Sequence, residues 1–191
     1  MKLLHSFFAV FGIMLLLVWG NSALGKPLSP TEAIDSFHLE SDDLQVSLVA
    51  SEPQVIDPIA LCFDKEGVLY VVESRGYPHP GKGLPRSKEG VIARLEDLDG
   101  DGIHERRTVF AKGLVFPNGI LPWRGGFFVT DAPEVLYFKD TDGDGVADQR
   151  TVVLTGFGTN SSSEQLRAAT PILGPDGWVH LTSGLTDAKV V

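Results

Sequence analysis

Asp97-Leu-Asp-Gly-Asp-Gly-Ile-His-Glu105 and Asp140-Thr-Asp-Gly-Asp-Gly-Val-Ala-Asp148 are one loop written twice. Extending the match outward aligns residues 94–114 with 137–157 at an offset of 43, with nine of 21 positions identical. The identities include Asp97/Asp140, Gly102/Gly145, Arg107/Arg150, Thr108/Thr151 and Gly113/Gly156, and chance does not produce that many. A second element interleaves with the first. The stretch from Pro58 through Gly67 into Val-Leu-Tyr-Val-Val resembles the stretch from Pro117 through Gly126 into Phe-Phe-Val-Thr. Pro171-Ile-Leu-Gly-Pro-Asp-Gly177-Trp-Val-His-Leu begins the pattern a third time.

Each unit reads as strand, Gly turn, strand, loop, strand, acidic loop, strand. That is four strands in roughly 43 to 59 residues, a period typical of propeller blades. The expected fold is all-β: a β-propeller with about two blades and part of a third. A propeller closes with about 4 to 8 blades, so the stretch reads as a fragment of a longer propeller. Longer loops are expected at 74–90 and at 158–164, after blade strands, where insertions are tolerated.

Ahead of the repeats, residues 1–25 read as a signal peptide. Lys2 gives a positive start, an apolar run extends from Phe7 to Trp19, and Ala23-Leu24-Gly25 supplies small residues for cleavage. That run is shorter than the roughly 20 residues of a membrane-spanning helix, so membrane attachment is expected only if the signal is retained. The expected location is the periplasm or cell envelope of a bacterium. Residues 26–43 form a lead-in. Ser29-Pro-Thr-Glu32 is a capping box with Pro at the first helical position and predicts one short helix to about Phe37. The propeller region is expected over 44–191, opening with a half-buried strand in which Leu44, Val46 and Leu48 alternate with Gln45, Ser47 and Val49.

The chain carries 16 Lys+Arg against 25 Asp+Glu, a formal charge of −9. No basic stripe exists to neutralise phosphates, which argues against nucleic-acid binding. The single Cys62 lies within Ile59-Ala-Leu-Cys-Phe63 and reads as a buried, inert thiol, and no internal disulfide can form.

In both acidic loops the acids fall at positions 1, 3, 5 and 9: Asp97, Asp99, Asp101 and Glu105, then Asp140, Asp142, Asp144 and Asp148. Gly at position 6 permits a sharp turn, and a hard Ca²⁺ ion takes six to eight oxygens. The loops depart from an EF-hand because Thr108 or Thr151 stands where a bidentate Glu belongs. Two readings stay open: calcium sites, or Asp-Gly turns that fold without metal. His38, His79, His104 and His180 share no metal-ligand spacing, and Asn160-Ser-Ser162 is a chance sequon in a Ser run. Arg75 and Arg167 follow or precede blade strands, where loops line a functional face. Each is a candidate anion-binding position; the alternative is a loop arginine paired with an acid, Glu73 in the case of Arg75.

At Asp57-Pro58, Val72-Glu-Ser-Arg-Gly-Tyr-Pro78, Arg94-Leu-Glu-Asp-Leu-Asp-Gly-Asp-Gly102, Leu121-Pro-Trp-Arg-Gly-Gly126 and Gly174-Pro-Asp-Gly-Trp178 the chain resembles the N-terminal propeller domain of the membrane-bound dehydrogenases of planctomycetes and relatives. That family is similar in fold to soluble quinoprotein glucose and sorbosone dehydrogenases. The resemblance implies oxidation of a sugar or polyol with pyrroloquinoline quinone (PQQ), with Arg75 and Arg167 toward an anionic cofactor or substrate group. It also implies further C-terminal blades and a cytochrome-like segment in full-length relatives. Related chains carry a polar, often His-containing, stretch after the motif ending in Arg167, where this chain has Ala168-Ala-Thr170. The alternative from a different class is a calcium-stabilised propeller that binds carbohydrate or protein without redox chemistry.

Overall fold

A computed structural model describes residues 26–77, 87–158, 168–184 and 188–191. The signal-peptide reading, Arg167, His79 and the sequon all lie outside the described residues. The chain divides into two units, at Met1–Val46 and Ser47–Val191. Among the described residues no helix is long and apolar enough to cross a membrane.

In the first unit Ser29 caps helix α1 (Pro30–Asp35). Its hydroxyl accepts the Glu32 amide at 3.2 Å, and the Glu32 carboxylate accepts the Ser29 amide at 2.7 Å. The two bonds satisfy donors that a helix start otherwise leaves unpaired. The helix stops short of Phe37. Ser36 turns its hydroxyl back onto the Ala33 carbonyl at 2.7 Å, and no residue of α1 is buried, so packing does not prolong it.

The second unit is all-β. β1 (Pro58–Phe63), β2 (Leu69–Glu73), β3 (Gly90–Glu96) and β4 (Arg106–Leu114) pair in sequence order as one antiparallel sheet. β5 (Pro117–Trp123), β6 (Gly126–Asp131), β7 (Glu134–Lys139) and β8 (Gln149–Thr155) form a second sheet of the same plan. β9 (Ile172–Leu173) and β10 (Val179–His180) repeat the first hairpin alone. Each four-stranded unit thus carries its acidic loop between its third and fourth strands, as the repeat predicts.

Local chemistry fixes the hairpins. At the β1–β2 turn the Asp64 carboxylate accepts the amides of Glu66 and Val68, both at 2.9 Å, and Gly67 takes a φ of 83°. At the start of β6 a Cβ on Gly126 would sit 2.3 Å from the Phe138 carbonyl oxygen, so only glycine fits there.

The two sheets pack face to face. Tyr70, Val72, Ile92, Phe110 and Leu114 from the first meet Ile120, Phe127, Val129, Leu136 and Phe138 from the second. Tyr70, Phe110 and Phe127 form an aromatic trio at the centre, with centroids 4.3 to 5.3 Å apart. The opposite face of the first sheet is a smaller cluster of Leu69, Val71, Ala93 and Leu95, covered in part by Val55 and Ala50. On that side Ile59, Leu61 and Phe63 of β1 are exposed.

The strand expected at 44–49 is not formed. Residues 44–50 carry no ladder, and Leu44 is 59% exposed. Alternation reports which side chains favour burial, whereas a strand also needs a hydrogen-bonded neighbour. The Val49 carbonyl receives one such bond, from the His104 amide at 2.9 Å. Cys62 is half-buried, and burial followed by the nearby Asp64 charge pushes its thiol pKa up to about 12, which keeps it unreactive.

Candidate functional site

The acidic loops close on themselves through their own carboxylates. In the first, Asp97 accepts the Gly100 amide at 2.6 Å and the Gly102 amide at 2.8 Å, and Asp101 accepts the Ile103 amide at 2.7 Å. Gly100 and Gly102 supply the φ values of 82° and 91° that this winding requires. The Gly102 amide, with those of Gly100 and Asp99, holds the Asp97 carboxyl below the usual range. The second loop repeats these bonds through Asp140 to Gly143 and Gly145, at 2.7 and 2.8 Å. Burial pushes Asp140 upward, but the Gly143 and Gly145 amides outweigh it, and its pKa is lowered.

Winding brings the acids together. Asp97, Asp99, Asp101 and Glu105 each place a carboxylate oxygen within 4.8 Å of the others, and so do Asp140, Asp142 and Asp144. Oxygens bound to one calcium at about 2.4 Å lie no farther apart than about 4.8 Å, so both groups fit a single hard cation. Asp148 does not join the second group. One of its oxygens accepts the Thr141 amide at 3.1 Å and the other accepts the Thr141 hydroxyl. The first loop has Leu98 in place of Thr141, and among the described residues Glu105 accepts only the Leu98 backbone amide, at 2.9 Å. The longer Glu keeps a free oxygen that the shorter Asp has spent.

The residue after the apolar position docks each loop on the chain that precedes its sheet. The Ala147 amide donates to the Phe110 carbonyl on β4 at 2.8 Å, as the His104 amide donates to Val49. The second loop therefore sits at the junction between the two sheets, and the first ties its sheet to the irregular segment at Val49.

A second constellation lies at the other end of the strands. A cleft of about 510 Å³ opens where β1 and β5 begin, lined by Asp57, Pro58, Ile59, Ser74, Tyr77, Phe116 and Asn118. Asp57 holds a φ of 48°, an uncommon backbone state for a residue other than glycine. Asn118 is fixed from both sides: its Nδ2 donates to the Ala168 carbonyl at 2.5 Å, and its Oδ1 accepts the Thr130 hydroxyl. One amide hydrogen and one lone pair of that side chain remain to offer.

Beside the cleft, Glu73 is fully buried and takes two guanidiniums. Arg75 reaches its Oε2 at 2.6 Å and Arg107 at 2.9 Å, while its Oε1 accepts the Ile56 amide at 3.1 Å. Arg75, a candidate anion-binding residue, is thus closed on an acid of its own chain. On β6 the buried Asp131 accepts the amides of Val115 and Phe116 at 2.9 and 2.6 Å. Neither Glu73 nor Asp131 is singled out by the loop motifs. The signal that could find them is an acid ending an apolar strand, in Leu69-Tyr-Val-Val-Glu73 and Phe127-Phe-Val-Thr-Asp131.

A family model matches residues 29–191, nearly the whole of the described chain. The chain belongs to the family described as domain of unknown function DUF7133. No curated protein and no solved structure matches it. The DUF7133 match spans the helical lead-in, both sheets and the β9–β10 hairpin, so the acidic loops and the cleft fall inside the family's domain.

Proposed function

We propose that this DUF7133 domain is part of an exported β-propeller that binds a small polyhydroxylated molecule, a sugar or polyol, in the cleft where its inner strands begin. The observation that carries the reading is the lining of that cleft: the Asp57 carboxylate, the Ser74 hydroxyl, the Tyr77 phenol and the Asn118 amide beside Ile59 and Phe116. Few polar groups set in an apolar hollow are what sugar hydroxyls and ring faces require. Backbone strain at Asp57 concentrates at the same place. The propeller is supported by the serial packing of one four-stranded meander on the next, with β5 beside β1, and by the apolar row of Ile59, Leu61 and Phe63 that a further sheet would cover.

Calcium belongs to the same proposal. Asp97, Asp99, Asp101 and Glu105 in the first loop, and Asp140, Asp142 and Asp144 in the second, would hold one ion each. The ions would neutralise crowded carboxylates and pin each loop to the chain that precedes its sheet, a structural role far from the cleft.

The second reading is that the bound sugar or polyol is oxidised, as the quinoprotein-like resemblance implies. PQQ would accept the electrons; of the two candidate arginines, Arg75 is ion-paired with a Glu73 that it shares with Arg107, and Arg167 lies outside the described residues, so no anion pocket is assembled among the described residues. The dehydrogenase reading therefore stands on resemblance, and the binding reading stands on geometry. Calorimetric titration of the calcium-loaded chain with monosaccharides and polyols tests the first. Binding that weakens in Asp57→Ala and Ser74→Ala supports the cleft, and unchanged binding in both overturns it. Dye-linked oxidation of the bound sugar with added PQQ tests the second, and absence of turnover in the longest available form of the protein rejects it.

A further inference from the structure

Glu73 and Asp131 hold one register position in their two sheets: Glu73 faces Pro58 across β1–β2, and Asp131 faces Pro117 across β5–β6. Each is buried, and each accepts from the backbone leading into the inner strand, Glu73 one amide (Ile56) and Asp131 two (Val115 and Phe116). They differ in compensation. Glu73 has two guanidiniums, whereas the residue equivalent to Arg107, Arg150, stacks over the Phe138 ring at 5.4 Å and acts on Asp131 only through space. Burial pushes the Asp131 pKa up against the two amides that stabilise its charge, with Arg150 on β8 lowering it and Glu134 on β7 raising it. Among the described residues Asp131 has no bonded cation, a placement that costs stability for a buried carboxylate, and its described partners are the two amides alone.

The stretch that Asp131 grips supplies a reason for an acid there. Phe116 and Asn118 form one wall of the cleft, and the neighbouring Thr130 fixes the Asn118 amide. We propose that Asp131 is a positioning residue for the cleft: by holding the Val115 and Phe116 amides it sets the wall that carries Phe116 and Asn118. The inference rests on the cleft being the ligand site, but its first test needs no ligand.

Amide exchange measured by NMR on the full chain reads the clasp directly. In Asp131→Ala the Val115 and Phe116 amides should exchange about tenfold faster or more, with Ile56 unchanged, and Asp131→Asn, which keeps an acceptor, should restore them. Unchanged exchange in Asp131→Ala overturns the proposal, as does an equal loss at Ile56. If that variant does not fold, the native chain decides: the Val115 and Phe116 amide shifts must follow the same pH step as the Asp131 carboxyl carbon, and the lack of a common step overturns the clasp. With D-glucose as probe, Asp131→Ala should weaken binding about tenfold and Asp131→Asn should recover it. Undiminished binding in Asp131→Ala rejects the positioning role. A native chain that binds no sugar or polyol refutes the ligand reading, leaving the clasp to the exchange result.

Discussion

The two four-stranded sheets share a plan down to the bonds of their acidic loops, yet they part at two acids. In the first sheet Glu73 is closed by Arg75 and Arg107, and Glu105 joins its loop's oxygen cluster. In the second, Asp131 has two amides and no bonded guanidinium among the described residues, and Asp148 is drawn off by Thr141. In each case the first sheet has Glu and the second has Asp. At the strand ends the partner differs as well, because Arg75 follows Glu73 by two residues where Pro133 follows Asp131, so one repeat can carry two different electrostatic environments.

The comparison breaks most severely at Glu73. Glu73→Ala strands two guanidiniums and the Ile56 amide, and should cost about 3–5 kcal/mol in urea denaturation, as expected when one partner of a buried ion pair is removed. A loss below 1 kcal/mol would mean that the buried pair is an ornament of the first sheet. Calcium comes next. At about 100 times its dissociation constant it should add about 2.7 kcal/mol through the tighter site, read as a rise in thermal midpoint that EGTA reverses. No change with EGTA would leave the loops as Asp-Gly turns.

Asp131 gives a change of sign. Its folded-state pKa is raised, so ionisation costs stability above that pKa, and the cost is relieved as pH falls through it. Asp131→Asn should therefore be as stable as the native chain or more so at neutral pH, while Asp131→Ala should lose about 1–3 kcal/mol for the unpaired amides. A strongly destabilised Asp131→Asn would show that the charge itself holds the sheet. Between the loops, Thr141→Leu should free an Asp148 oxygen and bring the second site's calcium affinity toward that of the first, measured by two-site titration. The smallest effect is expected at Arg106, which pairs with Glu96 on the surface at 2.5 Å. Arg106→Ala should cost less than about 1 kcal/mol, and still less in high salt.

Much of this was legible in the chain itself. The 43-residue offset, the Gly turns and the strand-ending apolar runs give the order of strands and the place of the acidic loops, because turns and alternation are local chemistry. The capping box at Ser29 gives α1 for the same reason. Residues 44–49 show the limit. Their alternation is real, but a ladder depends on a neighbour that no local pattern specifies. Glu73 shows another: its pairing with Arg75, two residues on, was readable as one of two alternatives, while its second guanidinium, from Arg107 on β4, follows only from the fold.

What the sequence determined by itself is the repeat: which stretches are strands, where the chain turns, and which acids gather in loops, all set within a few residues of one another. Only the tertiary structure decided which carboxylates stay free. Asp148 and Glu105 read alike in the loop spacing, and Glu73 and Asp131 both end apolar strands, with Arg75 alone readable as a partner of Glu73. Their roles depend on reach across a few ångströms of folded space, to Thr141, to two arginines, or to a pair of backbone amides at the rim of the cleft.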